Sequence, residues 1–239
     1  MPPSNLHPSD SETTNQVFGI DFNASPSIGI LETLGWTAAI VALDQMTKGA
    51  RVQVIQAEWN DMLGSVIKIA GNNAEVEAAL EAGAKVAAGF FPAAVNGNTT
   101  TRLLSKPDRE ALQAILSPAE FNQLIEQPVV KFPFNQQPGS TTEEAPNMSS
   151  NSLALGFIET QGFTAVFEAI DTACKSAAVD VVAKEKLGGG YVTVVIRGDV
   201  AAVSAAIDAA KPRVEGLGKL IACHVIARPS QAALALLPK

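Results

Sequence analysis

The sequence predicts an α+β fold made of two tandem ferredoxin-like units, each with the element order β-α-β-β-α-β. Three observations lead to this prediction. Residues 28–82 align without a gap to residues 155–209, so the chain of 239 residues contains an internal repeat. Within each copy, strand-like apolar segments alternate with segments of helical period. Apolar residues make up 47% of the chain and charged residues 17%, which supports a well-filled core.

The repeat is the most specific feature of the sequence. The two copies share 20 identities in 55 aligned positions, at a constant offset of 127. Alanine bias would produce a few such matches, but not matched polar and glycine positions in one register. Those positions are Gly29/Gly156, Glu32/Glu159, Thr33/Thr160, Gly35/Gly162, Asp44/Asp171, Lys48/Lys175 and Gly71/Gly198. The chain is therefore a tandem duplication.

The elements of the second copy follow from its patterning. Strands are predicted at 153–159, 179–183, 191–196 and 220–226, and helices at 162–177 and after Asp199, a suitable N-cap. The first of these helices carries an apolar stripe at helical spacing (Phe163, Val166, Phe167, Ile170 and Cys174), and Cys174 is expected to be buried on it. Trp36, which aligns with Phe163, is expected in the core. The first copy follows the same plan as far as Ala88, and its closing segment GFFPAAVNGN differs from the closing strand of the second.

Composition predicts where the domains end. Residues 1–26 are rich in Ser, Asn, Asp and Pro and form a predicted flexible tail. A first domain is expected at 27–134, with amphipathic segments at 107–116 and 118–126. Residues 135–151 have linker composition, and the second domain is expected at 152–239.

Charge and rare residues exclude several function classes. A net charge of −7 argues against a nucleic-acid partner, and the apolar runs are too short to predict a membrane span. Two cysteines and two histidines, without a CxxC motif, predict neither a disulfide framework nor a metal site. Glu32 and Glu159 are related by the repeat, not as an acid/base pair, and His224 has no predicted catalytic partner. We therefore predict no catalytic residues and no cofactor.

Several segments of the second copy resemble those of a bacterial microcompartment shell domain. They are the opening ALGFIET, the helix end from Asp171 to Lys175, the loop EKLGGGYVTVVIRGDVAAV and the closing HVIARP. Two such domains in unpermuted order resemble the tandem-domain shell proteins. The resemblance implies a homotrimer that forms a pseudohexameric tile, which packs with hexameric and pentameric shell proteins around encapsulated enzymes in the bacterial cytoplasm. It implies a structural protein rather than an enzyme.

The resemblance also assigns site residues. The family's pore-lining loop falls on Gly188, Gly189 and Gly190 in the second copy and, through the repeat, on Asp61, Met62 and Leu63 in the first. The family's edge lysine falls on Lys48 and Lys175, and its lattice-forming Arg-Pro motif on Arg228 and Pro229. The closing segment predicted for the first copy has no Arg-Pro motif. Asp61 stands where some tandem shell proteins carry a cluster-binding cysteine, so no iron–sulfur cluster is expected.

The residues of the two predicted pore loops indicate which charges the pore would favour. Three copies of the glycine loop would present backbone N–H groups to an axis. Three Asp61 carboxylates on that axis would repel each other, which favours cations or raises the pKa of Asp61. Met62 and Leu63 would narrow the opening.

Other interpretations of these residues stay open. The three glycines suit an ordinary hairpin turn, and Lys48 and Lys175 suit helix C-termini, where the macrodipole favours cations. The whole chain could instead be a trimeric ferredoxin-like regulator that binds a small molecule, or an enzyme with a pocket between the repeats. Electron microscopy separates a shell protein, which forms sheets, tubes or closed shells, from a regulator, which stays a discrete trimer.

Overall fold

The first domain of the computed structural model is one sheet with two helices on one face. The structure describes residues 16–17, 20–21, 26–60, 64–91, 99–115 and 153–237. Two short strands, β1 (Gln16–Val17) and β2 (Ile20–Asp21), precede this domain. Its elements are β3 (Ser27–Leu34), α1 (Trp36–Gly49), β4 (Gln53–Asn60), β5 (Gly64–Gly71), α2 (Asn73–Ala88), β6 (Thr99–Leu104) and α3 (Arg109–Ile115).

The four strands form an antiparallel sheet in the order β4-β5-β3-β6. Leu31, Ile67 and Ile69 project from this sheet into a core with Leu43 and Val76 of the two helices. The second predicted amphipathic segment, 118–126, lies outside the described residues.

The second domain repeats this plan. Its elements are β7 (Ala154–Gln161), α4 (Phe163–Ser176), β8 (Val179–Gly188), β9 (Tyr191–Gly198), α5 (Val200–Ala210), a 3₁₀ turn (Lys211–Val214), β10 (Lys219–Ile226) and α6 (Gln231–Ala235). The sheet order β10-β7-β9-β8 corresponds strand by strand to that of the first domain. Asp199 caps α5, as predicted, by accepting a hydrogen bond from the Ala201 N–H at 2.8 Å. The duplicated α+β fold is confirmed.

The closing strand of the first copy was predicted in the wrong place. It is β6 at Thr99–Leu104, which begins directly after the segment GFFPAAVNGN. Leu103 pairs with Gly29 just as Val225 pairs with Gly156. The offset between the copies is therefore 122 at this strand and not 127. A longer connection before β6 hides the match from a gapless alignment.

The corrected register reveals a counterpart of the Arg-Pro motif. Because Leu104 corresponds to Ile226, the residues Lys106 and Pro107 correspond to Arg228 and Pro229. Asp108 then corresponds to Ser230, and both stand directly before a helix, since their carbonyls accept hydrogen bonds from Leu112 and Leu234. The first copy thus carries a Lys-Pro pair where the second carries Arg-Pro.

The two domains pack through a buried interface of unlike surfaces. The face of the second sheet that bears Leu155 and Phe157 covers Trp36 and Ile40 of α1, and Ala233 of α6 belongs to the same apolar cluster. The Trp36 and Phe157 rings lie 5.9 Å apart in a tilted arrangement. A sheet of one domain thus contacts a helix of the other.

The apolar stripe predicted on α4 divides into two parts. Val166 is buried, whereas Phe163 and Phe167 are 39% and 49% exposed, and Cys174 is exposed as well. The prediction that Cys174 is buried was wrong, because the side of α4 that contacts its own sheet carries Ala165, Ala169 and Ala173 instead. Trp36 is buried as predicted, but residues of the second domain contribute to its burial.

Among the described residues, no helix combines the length and the apolar character needed to cross a membrane.

Candidate assembly surfaces and pore loops

Lys48 lies at the C-terminal end of α1, within the seam between the two domains. Its ammonium is 2.5 Å from a carboxylate oxygen of Asp44, one turn earlier, and the side chain of Asp44 is only 1% exposed. The other carboxylate oxygen accepts a hydrogen bond from the Ser230 N–H at 2.6 Å. The hydroxyls of Thr47 and Ser230 are 3.1 Å apart. Asp44 therefore joins an ion pair on its own helix to a backbone contact with the second domain.

This seam brings together sequence-predicted residues from both copies. Arg228 and Pro229 occupy the turn between β10 and Ser230, so they lie beside the end of α1 that carries Lys48. Arg228 is exposed and Pro229 is half-buried. The guanidinium is accordingly presented outward at a point where the two domains meet.

Lys175 repeats the ion pair of Lys48 in a different setting. Its ammonium is 2.5 Å from a carboxylate oxygen of Asp171, and both side chains are more than half exposed. The hydrogen bond to Asp171 raises the pKa of Lys175. The surface of α4 around this pair is open where that of α1 is covered.

Gly188, Gly189 and Gly190 form the tight turn of the β8–β9 hairpin. Gly188 pairs with Tyr191, and the two loop residues between them have φ values of 52° and 81°, as a type I′ turn requires. The Gly190 carbonyl accepts a hydrogen bond from the Gly162 N–H at 2.9 Å. The loop is therefore held against the beginning of α4, and the hairpin interpretation describes its local geometry.

Asp61, Met62 and Leu63 lie outside the described residues. The strands that they connect are described: Gly64 pairs with Leu34 as Tyr191 pairs with Gln161. The strands before and after 61–63 therefore correspond to β8 and β9, which flank the glycine loop. Pore lining by either loop stays a prediction.

Glu159 is an interface residue that sequence reasoning missed. It lies on β7, is fully buried, and its two carboxylate oxygens accept the backbone N–H groups of Trp36 and Thr37, each at 3.0 Å. These are the first N–H groups of α1, which have no partner within the helix. The partial positive charge of the helix N-terminus favours the carboxylate there. The sequence does carry a signal for this interface residue: a glutamate stands at one of the alternating strand positions whose side chains are otherwise apolar.

Burial governs the protonation of Glu159. Removal from water raises the pKa of the carboxyl, and the two backbone hydrogen bonds oppose this rise. Gly35 makes the close approach feasible: a Cβ at this position would lie 3.1 Å from both carboxylate oxygens, and its φ of 74° also favours glycine. Gly35 and Glu159 therefore form one structural unit across the domain boundary.

These features define a class of protein: two like α+β domains joined in one chain by a sheet-to-helix contact. Lys48 and Arg228 lie at the seam between the domains, and Lys175 lies on an open helix surface. Within the described ranges, no group of three His, Cys, Asp or Glu side chains is placed to hold a metal ion.

Comparisons with known proteins give this class its family. The BMC domain family matches twice, at residues 27–97 and 154–229. Bacterial microcompartment shell protein PduA from Citrobacter freundii is 50% identical over 86 residues, which are 36% of this chain and 92% of the relative. Carboxysome shell protein CcmK2 from a Synechocystis species is 50% identical over 91 residues, covering 36% of this chain and 86% of the relative. A crystal structure of a microcompartments protein from Desulfitobacterium hafniense DCB covers 88% of this chain and 98% of its own, at 25% identity and a TM-score of 0.33.

The chain belongs to the BMC domain family and is a tandem-domain shell protein of a bacterial microcompartment. Its location is the shell of such a compartment in the bacterial cytoplasm, and its partners include other shell proteins. The family is structural rather than enzymatic.

Proposed function

We propose that three copies of this chain form a pseudohexameric tile of the shell, with a central pore that passes metabolites selectively. In this proposal the chain has no catalytic role. Encapsulated enzymes lie on one side of the tile, and hexameric and pentameric shell proteins surround its edges.

One observation supports the tile above others. The contact between the two domains joins the sheet face of the second domain to the helix face of the first. The helix face of the second domain and the sheet face of the first domain are not used in this contact. A contact between unlike surfaces continues from chain to chain and closes into a ring if the rotation permits. Two domains per chain in a six-membered ring give three chains.

The pore of this tile is lined alternately by the two unlike hairpin loops. Gly188, Gly189 and Gly190 contribute backbone groups without side chains, and Asp61, Met62 and Leu63 contribute a carboxylate and two apolar side chains. Three carboxylates near one axis attract cations and disfavour anions.

The charge preference of the pore tests this assignment. Asp61→Ala is expected to increase the passage of small anions relative to cations of similar size, measured with reconstituted shells or in a planar bilayer. Glu77→Ala, on the exposed side of α2, is a matched control that removes a charge elsewhere. An unchanged ion preference in Asp61→Ala would remove this loop from the pore.

The outer contacts of the tile are assigned to Lys48, Lys175, Arg228 and Pro229. A lysine stem lies along a neighbouring edge while its ammonium contacts carbonyl groups, and arginine offers a planar set of donors. Lys106 and Pro107 stand at the corresponding turn of the first domain and extend this set.

Electron microscopy of the purified protein tests the tile itself. Sheets, tubes or shells built from discs with threefold symmetry are expected. Discrete trimers that bind a small molecule and never associate laterally would favour the regulator instead, and a monomer at micromolar concentration would exclude the ring.

A further inference from the structure

Two carbonyl groups of the glycine loop (188–190) are held by the junction between β7 and α4. The Gln161 side-chain amide donates a hydrogen bond to the Gly189 carbonyl at 3.1 Å, and the Gly162 N–H donates to the Gly190 carbonyl at 2.9 Å. A carbonyl oxygen only accepts hydrogen bonds, so the group of Gln161 that faces it is the amide nitrogen. Both carbonyls are therefore turned toward their own domain.

The direction of these carbonyls fixes what the loop presents on its other side. A trans peptide directs its C=O and N–H groups in opposite directions, and no peptide bond of the described residues is cis. Because the Gly189 carbonyl points toward Gln161, the Gly190 N–H points away from the domain. The outer edge of the loop therefore offers a hydrogen-bond donor.

The peptide between Gly189 and Gly190 has a second accessible orientation. The observed turn is type I′, with a φ of 81° at Gly190, and rotation of this one peptide by about half a turn gives type II′, in which that φ is about −80°. Glycine adopts φ values of either sign about equally readily, so the turn itself selects neither orientation. In the rotated form, the Gly189 carbonyl would point outward and the Gly190 N–H would face residue 161.

The backbone of Gln161 is held in place on both sides. It pairs with Tyr191 of β9 and with Lys219 of β10. Gly218 approaches so closely that a Cβ at this position would lie 2.6 Å from the Gln161 carbonyl oxygen. The Gln161 side chain therefore reaches the loop from a fixed point.

The first copy has no side-chain donor at the position of Gln161. Leu34 corresponds to Gln161, since Leu34 pairs with Gly64 as Gln161 pairs with Tyr191. A leucine side chain forms no hydrogen bonds, so only the second copy can hold a loop carbonyl from this position. The contact is thus specific to the glycine loop and is not a general requirement of the fold.

We propose that Gln161 sets the orientation of the Gly189–Gly190 peptide and thereby decides whether the loop offers a donor or an acceptor to a passing solute. This inference rests on the proposed tile, in which the glycine loop lines the pore. With Gln161 as the donor, three copies present N–H groups, which favour the acceptor atoms of a solute. With the peptide rotated, three carbonyl oxygens would favour cations and donors. Gln161 is therefore a positioning residue for the selectivity of the pore.

Reversing the polarity of residue 161 tests the orientation directly. In crystals of Gln161→Glu, the new carboxylate repels the Gly189 carbonyl and accepts the Gly190 N–H, so φ at Gly190 is expected to change from 81° to about −80°. Gln161→Lys keeps a donor and is the matched control, in which the positive φ is expected to remain. The side chain of Gln161 is exposed, so both variants are expected to fold. The same sign of φ in both variants overturns the proposal.

The passage of solutes tests the consequence for the pore. Gly190→Ala rotates the peptide without a change of charge, because alanine disfavours a φ of 81° and accepts one of about −80°. The uptake of formate relative to formamide by reconstituted shells is expected to fall at least about fivefold, the factor for one neutral hydrogen bond. Gly216→Ala, at another glycine of positive φ, is the matched control and is expected to leave this ratio unchanged.

The two experiments separate the positioning role from the pore. A fall in the formate ratio in Gly190→Ala, together with opposite signs of φ in the two variants of Gln161, supports both. An unchanged ratio with opposite signs of φ supports the positioning role of Gln161 and removes the glycine loop from the pore.

Discussion

Helices α1 and α4 are the same element in two environments. Both begin after a glycine of positive φ, carry an aspartate–lysine pair one turn from the end, and pack alanines on their own sheets. In α1 the outer face is covered by the second domain, and in α4 it is open. The difference teaches that an apolar stripe reports burial in some interface, but not which one.

The largest expected effect is at the first position of this face. Trp36→Ala is expected to lower the free energy of unfolding by about 3–5 kcal/mol, because it empties a closed apolar site. Phe163→Ala is expected to lower the free energy of unfolding of the unassembled chain by only about 1 kcal/mol. Its further effect is expected in the stabilisation that comes from assembly, which depends on protein concentration. Urea unfolding at several protein concentrations separates the two contributions. Equal losses at low concentration would contradict the asymmetry.

Asp44 in α1 and Asp171 in α4 allow the same comparison, with a smaller expected effect. Asp44→Ala leaves the half-buried backbone N–H of Ser230 without its acceptor and removes the ion pair with Lys48, so a loss of about 2 kcal/mol is expected. Asp171→Ala removes an exposed ion pair, which contributes well under about 1 kcal/mol. Thermal and urea unfolding measure both variants. A loss in Asp171→Ala as large as that in Asp44→Ala, at concentrations below assembly, would argue against a covered α1 and an open α4.

The carboxylate at the seam predicts a dependence on pH. The pKa of Glu159 is raised above its usual 4.5, so the native chain binds more protons than the unfolded chain between 4.5 and the raised value. The contribution of Glu159 to the free energy of unfolding is therefore complete below about pH 4.5 and falls as pH rises through that window, by about 1.4 kcal/mol per unit of elevation. Glu159→Gln lacks this contribution. If wild type and variant show the same slope from pH 4 to 8, the carboxyl is not perturbed by burial.

The outermost turns are expected to affect stability least. Arg228→Asp and Lys106→Asp change exposed side chains, so each is expected to alter the free energy of unfolding by under about 0.5 kcal/mol. Both are expected to reduce sheet formation seen by electron microscopy while the trimer persists. Sheets that form normally in Lys106→Asp but not in Arg228→Asp would show that only the second domain supplies edge contacts.

Much of the fold was accessible from the sequence because the duplication is regular. Strand partners, helix order and the Asp199 cap all follow from patterns that one copy confirms in the other. The strand at Thr99–Leu104 was not accessible, because the connection before it has a different length in the two copies and its TTTRLL sequence has little apolar character.

The interface was less accessible, for a physical reason. Periodicity identifies which positions of α4 are apolar. It does not reveal that Val166 is buried whereas Phe163 is exposed, because that difference depends on where the rest of the chain packs. Glu159 and Glu32 lie in similar sequence contexts, GFIETQG and GILETLG, and only tertiary packing makes one of them buried. Local sequence carries no information on that distinction.

The seam between the two domains, which Glu159 and Gly35 close, has a consequence for the composition of an assembled ring. Single-domain subunits that share one interface can assemble in random order, so their mixed rings vary from one ring to the next. In the proposed tile the peptide chain itself dictates the order of the domains, so the two kinds of loop would alternate strictly around every ring. Two genetically independent proteins could match that stoichiometry only by discriminating between nearly identical partners.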